Sequence, residues 1–111
     1  MRRNLKLSLK ADFKNLFGRG RRVDSQFFRL VYRKNSIGHV RLAFITPRAT
    51  EKSSVLRNRL RRRAREWARK HKELSGWPID VAIIFKGEAL RASKKIFYEE
   101  LEKIFIRIHG I

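Results

Sequence analysis

The sequence has no cysteine, only two prolines, and ten acidic residues against twenty-nine lysines and arginines. Without thiols there can be no disulfide framework, no thiolate zinc site and no cysteine nucleophile. No apolar run approaches the ~20 residues needed to cross a bilayer. The basic start, MRRNLKLSLK, is not followed by a continuous apolar region, so it does not read as a signal peptide and a cytoplasmic location is expected. Scarce acids bear directly on catalysis. A protein nuclease needs carboxylates for metal ions or a positioned acid–base pair. Here no Asp-x-Asp occurs, and the densest acidic group, Glu99, Glu100 and Glu102, falls on a segment that reads as the last helix. His39, His71 and His109 are dispersed, and Gly18-x-Gly20 lacks the strand–turn–helix setting of a nucleotide loop. No catalytic residue and no protein-borne metal site is expected.

With 111 residues, 42% of them hydrophobic, the chain reads as one domain spanning 1–111, with no linker or internal repeat to divide it. A formal charge of +19 exceeds what solubility requires. Self-repulsion of that size is tolerated when a polyanion is the working partner. Nucleic acid is the first candidate and an anionic membrane surface the second.

The spacing predicts a first helix over LKADFKNLF, capped by Ser8, with Asp12 in its first turn and Leu9, Phe13, Leu16 and Phe17 on one face. Residues 27–34, FFRLVYRK, read as a strand, Asn35-Ser36-Ile37-Gly38 as a turn, and HVRLAFIT as an antiparallel partner closed by Pro47. Val23 and its neighbours add a short leading strand. A long helix is expected from about Ser54 to Leu74, then a buried strand over IDVAIIF (79–85). A last helix, KKIFYEELEKIFIRI, is capped by Ser93 and carries an apolar stripe of Phe97, Leu101, Ile104, Phe105 and Ile108. The result is an α+β domain: three helices on a small mixed four-stranded sheet, in the order α-β-β-β-α-β-α.

Eight of the fourteen residues in RNRLRRRAREWARK (57–70) are cationic. On a helical wheel, Leu56, Leu60, Ala64, Trp67, His71 and Leu74 form a core-facing stripe. Arg57, Asn58, Arg61, Arg62, Arg65, Arg69 and Lys72 spread over the opposite face, with Arg59, Arg63 and Lys70 on the flank, where their stems can cover apolar surface. A merely solvated helix would interleave Glu with Lys at four-residue spacing, yet Glu66 and Glu73 are the only acids between Arg57 and Leu74. Arginine also outnumbers lysine, as suits phosphate gripped by a planar fork of donors. A localisation tag would sit in a flexible tail without a packing stripe, and a membrane helix would need the apolar stripe that the core requires. Phe13 and Phe17, beside Lys10, Lys14, Arg19, Arg21 and Arg22, fit either a core or a stacking platform for single-stranded bases. The residues alone describe a polyanion binder, with RNA ahead of DNA.

The run Arg57-Asn58-Arg59-Leu60-Arg61-Arg62, with Arg65 after it, resembles the arginine-asparagine-arginine signature of the bacterial ribonuclease P protein subunit. The order LKADFKNLF, GRG, FFRLVY, RLAFIT, basic helix, DVAIIFKG, YEELEKIF agrees along nearly the whole chain. The resemblance implies a small α+β protein with a left-handed crossover around the signature helix, against the usual right-handed rule. It implies partners, the catalytic ribonuclease P RNA and precursor tRNA, with no membrane and no obligate protein partner. It also implies removal of the 5′ leader by magnesium ions held on the RNA, the protein alone being inactive. Carried over by position, Arg48, Arg57, Asn58, Arg59, Arg61, Arg62, Arg65 and Arg69 face the catalytic RNA. Phe13, Phe17, Lys10 and Lys14 border a leader cleft whose floor is the strand face of Phe28, Leu30 and Tyr32, or its alternate. Two stretches depart from many relatives: Thr46-Pro47-Arg48 keeps one cation of a usual pair, and Thr50–Ser54 lacks a glycine turn. The alternative from another class is a ribosomal protein that anchors on ribosomal RNA through the same helix.

Overall fold

The computed structural model describes residues 10–109, so the expected Ser8 cap lies outside the described residues. Helix α1 (Lys10–Arg19) is followed by strands β1 (Arg21–Asp24), β2 (Phe28–Lys34) and β3 (Arg41–Ile45). Next come helix α2 (Ser54–Lys70), a 3-10 turn (Lys72–Gly76) and strand β4 (Ile79–Phe85). A short helix α3 (Gly87–Arg91) and helix α4 (Lys94–His109) complete the chain. The four strands form one mixed sheet in the order β1-β2-β4-β3.

Strand β2 pairs antiparallel with both β1 and β4, whereas β3 pairs parallel with β4. The expected β2–β3 hairpin is therefore absent, because β4 lies between them. The reason is burial: IDVAIIF is apolar toward both faces, so a central place with both edges paired suits it better than an edge. Residues 35–40 need to span only about 10 Å to step over one strand, which so short a connection can do.

Helix α2 links the parallel strands β3 and β4. Ser53 caps it, its hydroxyl accepting from the Leu56 amide at 3.3 Å. Leu60, Ala64 and Trp67 are buried as the stripe requires. The helix stops at Lys70 rather than running to Leu74. The His71 ring donates through Nδ1 to the Trp67 carbonyl at 2.8 Å and stacks on Trp67, and the following 3-10 turn still carries Leu74 into the core. There are four helices among the described residues, not three. The extra one, α3, is too short to show periodicity and holds Ala89 in the core.

Both faces of the sheet are covered. Phe28, Leu30, Tyr32, Leu42, Val81, Ile83 and Phe85 point toward α2 and α4, where they meet Leu60, Trp67, Phe97, Leu101, Ile104 and Phe105. Phe28, Phe85 and Phe97 meet edge to face at 5.3–5.7 Å. Burying each such ring contributes roughly 1.5–3 kcal/mol. The opposite face, with Val31, Ala43 and Ala82, lies under Leu16 of α1.

Candidate nucleic-acid interface

The anchored stripe of α2 leaves its other side in solvent. Asn58, Arg59, Arg62, Arg65 and Arg69 are exposed, while Arg57, Arg61 and Arg63 are half-buried. These arginines do different things. Arg63 turns inward, donating to the Ala92 carbonyl at 3.3 Å and lying over the Phe97 ring at 5.3 Å. Arg57 donates to the carbonyls of Glu51 and Lys52 at 2.8 and 2.9 Å. Arg61 donates to the Asn58 side-chain oxygen, and Arg69 pairs with Glu66. No salt bridge among the described residues involves Arg59, Arg62 or Arg65, so these three point unneutralised charge outward. Arg48 is exposed in the turn after β3, where the Pro47 carbonyl accepts from Thr50 and Glu51. Leu56, expected on the core stripe, is 38% exposed, and Val55 beside it 64%. The core stripe of α2 begins one turn later, at Leu60.

A second surface lies on the far side of the sheet. Helix α1 is fastened across that face by Arg41. This guanidinium binds both oxygens of Asp80 at 2.8 and 2.7 Å and reaches Asp12 of α1 at 2.9 Å, while Asn35 also donates to Asp80. The Asp80 hydrogen bonds, and after them the Asp12 contact, hold Arg41 protonated more firmly than usual despite its burial. At the other end of α1, Arg22 donates to the Phe17 carbonyl at 2.9 Å.

Phe13 and Phe17 stack on each other at 6.2 Å with 12° between their planes. Both are half-buried against the small cluster of Leu16, Val31, Ala43, Ala82, Ile45 and Ile84. They serve as core on one side and remain open on the other. Lys14 is exposed beside them; the Lys10 side chain lies outside the described residues. The expected cleft floor of Phe28, Leu30 and Tyr32 is corrected. These three are buried in the main core beneath α2 and α4. Because strand side chains alternate between faces, the α1 side receives Arg29, Val31 and Arg33 instead. On that face Val31, Ala43 and Ala82 are themselves buried beneath Leu16, so the open part of the floor is half-exposed Ile45 and Ile84.

The sequence reading missed a basic band along this floor. Cross-strand pairing sets Arg22 opposite Val31 and Arg29 opposite Ile84, and Lys86 follows directly after β4. Arg29 and Lys86 both hold Asp24. The Lys86 hydrogen bond, then that of Arg29, keeps this carboxyl below its ordinary pKa. Alternation about Val31 was the signal that could have found the band. Among the described residues, no three histidine or acidic side chains come together as a metal-binding group, and no helix is long and apolar enough to cross a membrane.

Known proteins resemble this chain along nearly its whole length. The ribonuclease P protein component of Aliivibrio salmonicida is 33% identical over 106 residues, covering 96% of this chain and 90% of that one. The solved ribonuclease P protein of Thermotoga maritima superposes with a TM-score of 0.82 at 28% identity, covering 95% of this chain and 98% of the other. The Staphylococcus aureus ribonuclease P protein shares the fold, with a TM-score of 0.85 at 24% identity over 96% of this chain and 97% of that one. The ribonuclease P family model matches residues 1–109, and the chain belongs to that family.

Proposed function

We propose that this chain is the protein subunit of a ribonuclease P. It binds the catalytic RNA through α2 and holds the 5′ leader of precursor tRNA in the cleft beside α1. The reading rests on one observation above the others: Arg59, Arg62 and Arg65 have no acidic partner among the described residues, on a helix that Leu60, Ala64 and Trp67 anchor, in a chain of this family. Asn58, Arg61 and Arg69 lie on the same helix, Arg48 is exposed in the turn after β3, and Arg57 braces the loop before the helix. Such contacts position RNA without reading its sequence. Phe13 and Phe17 offer an aromatic edge to unstacked leader bases above the Ile45 and Ile84 floor, with exposed Lys14 nearby for phosphates. Cleavage of the leader is work for magnesium ions on the RNA, and the protein lowers the repulsion between two RNAs. A cytoplasmic setting and a left-handed β3–α2–β4 crossover go with this reading. It displaces the ribosomal alternative, which no observation favours.

The test reconstitutes the full chain with its cognate ribonuclease P RNA and follows precursor tRNA cleavage against magnesium concentration. The protein lowers the magnesium requirement and cleaves nothing by itself. Phe17→Ala weakens precursor binding by about tenfold, in line with ~1–3 kcal/mol per stacked base, and leaves mature tRNA binding nearly unchanged. Robust cleavage by the protein without RNA would overturn the proposal, and equal losses for precursor and mature tRNA would return Phe17 to a purely structural role.

A further inference from the structure

At the β1–β2 end of the cleft, three cations converge on a single acidic residue. Arg29 Nε and Lys86 Nζ both hydrogen-bond the same oxygen of Asp24, Oδ1, at 3.0 and 2.9 Å. Arg107 of α4 donates to the Asp24 backbone carbonyl at 2.9 Å. Lys86 is held on two further sides: its ammonium donates to the Ser25 carbonyl at 2.7 Å and its amide to the Phe27 carbonyl at 2.9 Å. The cluster therefore carries an excess of positive charge on side chains already drawn together. Asp24 and Arg29 are about half exposed, at 49% and 51%, so water and a competing anion can reach them. Arg29 stands opposite Ile84, which puts the cluster next to the apolar floor beside Phe13 and Phe17.

We propose that Arg29 and Lys86 form a phosphate site for the backbone of single-stranded RNA, and that the Asp24 carboxylate occupies it until the RNA arrives. A carboxylate oxygen that accepts from two converging N–H donors presents the same acceptor geometry as a non-bridging phosphate oxygen. An exposed ion pair is weak, so exchange for a phosphate already tethered by stacked leader bases is favourable. Asp24 keeps the two long cations aimed at one point. This proposal rests on the leader-cleft reading above and adds a phosphate subsite with a resident competitor.

The roles separate in the reconstituted complex, with two precursor tRNAs: one whose leader crosses the cleft and one cut back to the nucleotides next to the cleavage site. Arg29→Ala and Lys86→Ala weaken binding of the long-leader precursor by about two- to fivefold, as for an exposed charge contact. Each also lowers the salt slope by about 0.7, the single-strand value per phosphate. Asp24→Asn acts in the opposite direction. It tightens long-leader binding by about two- to fivefold and steepens the salt dependence, because the freed cations release solution counterions when phosphate binds. In the Arg29→Ala/Lys86→Ala background, Asp24→Asn brings no gain. Glu102→Gln on exposed α4 controls for net charge, and thermal melts confirm that each variant is folded. If Asp24→Asn matches Glu102→Gln, or changes both precursors equally, the phosphate site is refuted. If Arg62→Ala also leaves RNA assembly intact, the fault lies with the broader functional reading.

Discussion

Two glycines at the end of α1, two positions apart, should answer the same substitution in opposite directions. A Cβ placed on Gly20 would lie 2.4 Å from the Leu16 carbonyl oxygen, 2.8 Å from a Val31 methyl and 3.0 Å from the Tyr32 carbonyl oxygen. Two of these neighbours are backbone, one in α1 and one in β2, so no side-chain rotation relieves the clash. The Gly20 amide meanwhile donates to the same Leu16 carbonyl at 2.7 Å. Gly20 has no positive φ, so the requirement is close approach alone. Gly20→Ala must push α1 off the sheet by roughly an ångström, an overpacking strain of about 1–3 kcal/mol. With ~2.1 cal/mol/K of unfolding entropy per residue over 111 residues, each kcal/mol moves Tm by about 4 °C, so the variant melts about 4–13 °C lower. Gly18, inside the last turn of α1, has nothing within 4 Å of an added Cβ. Gly18→Ala should gain up to about 1 kcal/mol of helix propensity and melt a few degrees higher. Paired thermal melts by circular dichroism read both. Because the clash displaces the helix that carries Phe13 and Phe17, Gly20→Ala should also weaken precursor binding. A Gly20→Ala protein as stable as its parent would refute the close packing of α1 on the sheet.

Removing Asp80 strands Arg41 at a largely buried position with Asp12 as its remaining partner. Asp80→Ala should therefore lose about 2–4 kcal/mol in urea denaturation, and an Arg41→Met/Asp80→Leu pair should recover much of it. At the head of α2, Ser53→Ala should lose about 1 kcal/mol while Ser54→Ala stays near neutral, since Ser53 alone caps the Leu56 amide. Equal effects of the two serines in the same melts would dismiss that cap.

The sequence carried the elements better than their arrangement. The basic helix was legible because Leu60, Ala64 and Trp67 recur at helical spacing among cations, and that spacing needs no partner to be recognised. Strand pairing was not legible in the same way. FFRLVYRK, NSIG and HVRLAFIT look like a hairpin, and only the apolar character of IDVAIIF on both faces hints that it belongs in the middle. The cleft floor failed for a related reason. In β2, Val31 is as apolar as Leu30, because α1 covers one face of the sheet and α2 with α4 the other. Polarity therefore could not say which alternate set faces the cleft. The pairing of Arg29 and Lys86 at Asp24 joins residues as far apart as 24 and 86, a proximity that only the register of β2 on β4 creates. Phe13 and Phe17 were legible as a helical pair, and their open edge was not.

The grip of Arg57 on Glu51 and Lys52 has a consequence for how RNA binding is partitioned between heat and disorder. One arginine of the signature is turned back on its own loop, and Ser53 and Glu51 lock the same turn through the Leu56 and Ser53 amides. The segment from Pro47 to the first turn of α2 is thereby ordered before RNA arrives. A loop that folded on contact would surrender conformational freedom at that moment and dilute the gain from each phosphate. This one has already surrendered it during folding, so binding at the head of α2 should carry a smaller entropic penalty than a flexible basic arm of equal charge. On the proposed reading, the arginine turned away from RNA is what keeps its neighbours ready for it.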